Sequence, residues 1–161
     1  MKTAKITFVL MAFLFTASFS FSQSVEGRLA IKGFTNGKTI KQNTPVALFK
    51  AFKDGVYSIN FNFKSNDLGP EGIVLFDMKT TVKHNGKIIS ETSRGGWPWI
   101  PGDMFVPIEA FDAIPAWQKH AEKGLPVSIP GKYEIILQFV PSKGQKVKGS
   151  ISPATMQFTI E

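Results

Sequence analysis

The chain has 161 residues, 43% of them hydrophobic, with 15 Phe, 3 Trp, no Cys and a formal net charge of +7. Without cysteine it has no disulfides and no thiolate metal or redox centre, so its stability must come from an apolar core. With only two histidines as well, a structural zinc site has no ligand set to draw on.

Lys2 and Lys5 precede an apolar run, Ile6 to Phe15, and Ser20-Phe21-Ser22 places small residues where a signal peptidase reads. This pattern predicts a cleaved signal peptide over 1–22. The run is shorter than the roughly 20 residues that cross a bilayer, so no membrane span is expected and the product should be soluble, secreted or periplasmic. That location excludes nucleic acid as a partner. Loss of Lys2 and Lys5 lowers the net charge by two, and the remaining basic surface suits acidic glycans, anionic envelope surfaces or an acidic protein. Residues 23–161 have the length of one domain.

Val25 to Lys32 alternates apolar and polar side chains, as a half-buried strand does. Asn36-Gly37 marks a turn. Thr39 to Thr44 is polar, and the apolar Val46 to Phe52 predicts a short edge strand. After the turn at Asp54-Gly55, Val56 to Lys64 sets Tyr57, Ile59, Phe61 and Phe63 against Ser58, Asn60, Asn62 and Lys64, a strand with one face in water. Ser65 to Gly72 reads as a loop between sheets. Ile73 to Lys83 reads as a long strand, and Asn85-Gly86 turns it into a hairpin with Lys87 to Ser93.

Residues 94–124 break this rhythm. They carry Gly95, Gly96, Pro98, Pro101, Gly102, Pro107 and Pro115, and all three tryptophans, Trp97, Trp99 and Trp117. So much proline predicts an insert rather than strands, with helical turns at Ile108 to Phe111 and Ala116 to Lys123. Pro126 to Ile129 predicts a short strand. Ser142 to Pro153, with Lys143, Lys146 and Lys148, reads as a basic hairpin tip before a last strand, Thr155 to Ile160.

Between these lies Pro130 to Val140, in which Gly131 supplies a bend and Tyr133, Ile135, Leu137 and Phe139 share one face. A Tyr two residues ahead of an inward position, just past a Gly turn, resembles the tyrosine corner of immunoglobulin-like and fibronectin-III-like sandwiches. The resemblance is to the fold alone. It implies an all-β, immunoglobulin-like sandwich of seven or eight strands in two antiparallel sheets, a single domain over 23–161 carrying the Trp/Pro-rich insert at 94–124.

Catalytic chemistry is thinly supplied. His84 precedes a turn, where a solvated side chain is expected. His120 with Asp103 or Asp112 lacks a G-x-S-x-G nucleophile context, and Asp103, Glu109 and Asp112 offer carboxylates without the spacing of a calcium loop. No cofactor is implied. The insert has the features of a binding element: Trp97-Pro98-Trp99 is stiffened by proline, and Trp is enriched at the energetic centres of interfaces. Ordering thirty residues also needs apolar anchors, so most of Trp97, Trp99, Met104, Phe105, Phe111 and Trp117 are expected to pack inward as a lid, one indole staying at the surface. The sequence therefore predicts an exported, non-catalytic module that binds a protein partner through the Trp-bearing insert. The second reading is a carbohydrate-binding module that stacks sugar on Trp97 or Trp99 and steers acidic glycan with Lys143, Lys146 and Lys148.

Overall fold

The computed structural model describes residues 23–41, 45–66, 72–113, 116, 129–145 and 147–161. The predicted signal peptide, Trp117, His120, Lys146, the turn at Ala116 to Lys123 except Ala116 itself, and the strand at Pro126 to Ile129 except Ile129 lie outside them. The strands are β1 (Gln23–Lys32), β2 (Lys38–Ile40), β3 (Ser58–Ser65), β4 (Val74–His84), β5 (Lys87–Trp99), β6 (Gly102–Val106), β7 (Gly131–Pro141), β8 (Val147–Ser152) and β9 (Ala154–Ile160). Among the described residues there are also a helix, α1 (Pro45–Lys53), and a 3-10 turn (Ile108–Phe111).

Two sheets face each other, one in the order β6-β3-β1-β8 and the other β2-β9-β7-β4-β5. Omitting β2 and β8, this is E-B-A over G-F-C-C′, the immunoglobulin-like arrangement with its fourth strand moved to the second sheet. The sheets are mixed rather than antiparallel, because β8 runs parallel to β1 and β2 parallel to β9. Nine strands form among the described residues, where seven or eight were predicted for the domain. The additional ones come from stretches rich in Gly, Pro and Lys that local pattern reads as loops.

Phe61 and Phe63 of β3, Phe76 of β4 and Phe139 of β7 are fully or almost fully buried between the sheets. The Phe61 and Phe139 rings stack across the interface with centroids 4.1 Å apart, and Phe76 meets both edge-on. Each such side chain stabilises by roughly 1.5 to 3 kcal/mol relative to exposure. The strict alternation of β3, β4, β7 and β9 exists to supply this layer.

Val46 to Phe52, expected as an edge strand, lies within α1. Pro45 at the first helical position pre-sets the backbone, Leu48 and Phe49 are buried while Phe52 packs against the core, and Lys50 and Lys53 sit in the last turn, where the helix dipole favours cations. A short apolar run is ambiguous between strand and helix by periodicity alone.

The first part of the predicted insert, as far as Val106, is mostly strand rather than loop. Arg94 to Trp99 prolongs β5, and after the bend at Pro101 the chain crosses to the other sheet as β6. Proline is tolerated here because β5 is an edge strand, so the missing amide at Pro98 takes no ladder bond away. Gly95 and Gly96 oppose the single residue Asp77 in a bulge, Gly96 at φ +73°, and the Asp77 carboxylate accepts from the Gly96 amide at 3.0 Å. The helical turn expected at Ile108 to Phe111 is present as the 3-10 turn.

Tyr133 forms the corner that its spacing predicts. Its ring is buried and its hydroxyl donates to the Ile129 carbonyl at 2.8 Å. The Asn85-Gly86 hairpin, with both residues at positive φ, docks beside it: the Lys132 amide donates to Asn85 Oδ1 at 2.9 Å and the Asn85 amide to the Lys132 carbonyl at 2.7 Å. His84, expected to be solvated, is half-buried and stacks on Tyr133 with centroids 4.6 Å apart. Gly131 permits this approach: at φ +142°, a Cβ there would stand 2.4 Å from His84 Nε2.

Replacing Tyr133 by Phe is expected to cost about 1–3 kcal/mol in urea unfolding, because the Ile129 carbonyl loses its donor. Burial raises the Tyr133 hydroxyl above the ordinary tyrosine range, against the smaller opposing effect of the Ile129 bond. Its contribution is complete below the unfolded tyrosine pKa of about 10 and is lost as pH rises through the raised folded value. The stability gap between wild type and Tyr133→Phe should therefore change with pH only on the alkaline side.

Candidate functional site

The tryptophan-bearing end of β5 forms a rim along the edge strand of the five-stranded sheet. Trp99, Trp97 and Arg94 stand opposite Val74, Phe76 and Met78 of β4, all three buried, so their side chains leave β5 on its core-facing side. Trp99 reaches the aromatic layer, edge-on to Phe61 at 5.8 Å and to Phe139 at 5.0 Å. Its indole Nε1 is buried without an acceptor among the described residues. Trp97 remains 46% exposed. The Arg94 guanidinium lies 5.7 Å from its ring centroid, within cation–π range, and donates to Asp112 Oδ1 at 2.8 Å.

Asp112 follows the 3-10 turn in the left-handed region at φ +50°, its amide donating to the Glu109 carbonyl at 3.2 Å. The turn is tied down through the Phe111 carbonyl, which accepts from the buried Thr80 hydroxyl and from Thr92 Oγ1 at 3.4 Å. Phe111 itself is buried against Phe139. This chain of contacts fixes Asp112, which fixes Arg94, which braces one face of Trp97.

The structure separates the remaining predicted binding residues. Lys143 is exposed in the turn after β7, which is fastened to β4: the Leu75 amide donates to Gln145 Oε1 at 2.9 Å and Ser142 Oγ to Asp77 Oδ1 at 2.5 Å. Lys148 stands on β8 beside Ser24, on the outer face of the other sheet. The expected basic hairpin is thus a turn followed by a strand, because β1 leaves an edge that residues 147–152 complete. Trp99 is occupied by the core, so the two indoles form no joint platform. Met104 and Phe111 point inward as expected, whereas Phe105 does not and is 74% exposed.

Asp103, Glu109 and Asp112 hold different partners. Asp103 accepts from Asn62 Nδ2 at 2.6 Å, Glu109 lies 3.7 Å from Lys53 Nζ, and Asp112 holds Arg94. The Lys53–Glu109 pair borders a cleft of about 460 Å³ between the end of α1 and Pro107. Among the described residues no three His, Cys, Asp or Glu side chains group as metal ligands, and no helix is long and apolar enough to cross a membrane. Arg94 was not singled out from sequence. Its signal was the alternation running through Trp97 and Trp99, interrupted by the two-glycine bulge.

No protein-family model and no curated protein matches the chain. Among solved structures it is similar to the CARDB domain of the PF1109 protein from Pyrococcus furiosus, crystallised in complex with di-metal ions. That likeness has a TM-score of 0.33 and 12% identity, and covers 84% of this chain and 93% of that one. The assignment of an immunoglobulin-like β-sandwich stands on strand order and on the Tyr133 corner, not on this likeness.

On the outer face of the five-stranded sheet, Lys83 lies 2.7 Å from Glu134, which also accepts from Gln157 at 3.0 Å. Lys83, and then Gln157, hold the Glu134 carboxyl below its usual range. This contribution is present above the ordinary Glu pKa and is lost as pH falls through the lowered folded value. Solvent screening limits it to under about 1 kcal/mol, and Lys83→Met should remove the larger part, leaving that of Gln157, as measured by urea unfolding at neutral and acid pH.

The two described indoles should separate by chemistry. Trp99→Ala is expected to cost about 3–5 kcal/mol, whereas Trp97→Ala should cost under about 1.5 kcal/mol because half its ring already faces water. In iodide quenching, Trp97→Phe should remove an accessible component and Trp99→Phe a protected one.

Proposed function

We propose that the chain is an exported, non-catalytic interaction module that engages a protein partner through the Trp97 rim. The observation that carries this reading is an exposed indole braced by a guanidinium that is itself held by a carboxylate. Trp and Arg are the residue types enriched at the energetic centres of interfaces, and a side chain immobilised before binding loses less entropy on association. Export rests on the n-region, h-region and small-residue pattern of residues 1–22. The two sheets provide the support, with Pro98 and the Asp77 bulge keeping β5 from pairing indiscriminately with other edges.

A photo-crosslinking side chain placed at position 97 in the producing cell is expected to yield a discrete adduct with one protein outside the cytosol. The captured partner should bind the protein that retains Trp97 about tenfold more weakly when Arg94→Ala is introduced, while the same crosslinker at Lys79, on the opposite face of the sheet, should give no adduct. Absence of an adduct at 97, or equal adducts at both positions, would reject the reading. The glycan reading at this site predicts instead an emission shift, absent from Trp97→Phe, on titration with neutral or acidic oligosaccharides.

A further inference from the structure

The outward-facing residues of the four-stranded sheet form a second surface, distinct from the rim. Register places Phe105, Asn60 and Ala30 in one row across β6, β3 and β1, and Asp103, Asn62, Arg28 and Ser152 in the next. Arg28, Lys32, Lys64 and Lys148 share this face, and none of them takes part in the ion pairs of the described residues, which all lie elsewhere. Against these four cations stand two carboxylates. Asp103 is held by the Asn62 amide, and Glu26 is opposite Lys64 in register without forming an ion pair.

The surface is also shaped. A shallow depression of about 340 Å³ is lined by Glu26, Arg28, Asn62, Lys64 and Ser152. At the β6 edge of the same face Phe105 is 74% exposed and contacts no other ring among the described residues. Two strand spacings, about 10 Å, separate the Phe105 strand from that of Arg28. A single apolar anchor beside charges and amides is a poor match to the apolar centre of a protein interface.

We propose that this face binds an acidic oligosaccharide, with one pyranose ring stacked on Phe105 and sugar carboxylates paired with Arg28 and Lys64. Arg28 presents a planar fork that matches a carboxylate. Asn60, Asn62 and Ser152 offer hydroxyl partners along the same rows. Glu26 and Asp103 can accept from the free hydroxyls between the carboxylates of a uronate chain, donors that a DNA phosphodiester backbone lacks. The charge on the face is therefore complementary to a ligand of spaced carboxylates with neutral polar groups between them.

Calorimetric titration of the purified protein with a galacturonate hexamer, its methyl ester and an oligonucleotide of equal charge tests this. The hexamer should bind at low salt, the ester and the oligonucleotide at least about tenfold more weakly. Arg28→Gln with Lys64→Gln should lower hexamer affinity about tenfold, and Phe105→Ala about fivefold, while Trp97→Ala leaves it unchanged. These positions are exposed, so the variants should keep the wild-type circular dichroism spectrum. No binding of the hexamer, equal or tighter binding of the ester or the oligonucleotide, or wild-type affinity in either the double variant or Phe105→Ala would overturn the proposal. Loss of affinity in Trp97→Ala would also overturn it, by moving the sugar to the rim.

Discussion

The stacked rings of Phe61 and Phe139 are the contact on which the rest of this structure depends. They join the two sheets at their centre, and Phe76, Trp99 and Phe111 are placed by packing on them. Lacking disulfides, the domain has no covalent constraint to offset the entropy of ordering its chain, so close aromatic packing across the sheets takes that role. Even close backbone approach serves this layer. A Cβ at Gly27 would lie 2.6 Å from the Phe63 Cβ, so β1 is glycine where β3 presents one of its core rings.

The rim follows from the same layer. Trp99 enters the core because β5 must bend at Pro101 and cross to the other sheet, carrying its last side chain inward. Two residues earlier the core is already filled by Phe76, and Trp97 is left at the boundary with half its ring in water. Arg94 and Asp112 then act on a residue whose position was decided by packing. Binding surface and hydrophobic core are thus successive positions of one strand.

The outer faces of the two sheets differ for reasons of register. On the five-stranded sheet, Lys83, Glu134 and Gln157 fall side by side on neighbouring strands and satisfy one another. On the four-stranded sheet the cations fall on positions whose cross-strand neighbours are amides, hydroxyls or small side chains, with only Glu26 facing Lys64, and they remain available. One face thus holds a compensated ion pair at Lys83 and Glu134, whereas the four cations of the other form none among the described residues.

Alternation in β3, β4, β7 and β9, the Asn85-Gly86 turn and the Tyr133 corner were legible from sequence because each is a local pattern with one low-energy solution. The aromatic inventory announced a core without disulfides for the same reason. Tertiary structure alone decided what local pattern leaves ambiguous. An apolar run of seven residues became helix where it could bury Leu48 and Phe49 at the end of the sandwich. Gly-Gly and Trp-Pro-Trp became strand because an edge tolerates a bulge and a missing amide, and residues 147–152 became strand because β1 offered a free edge to pair with. Which tryptophan faces water, and that Phe105 does so as well, depended on which sheet each strand joined, a fact that no window of sequence contains.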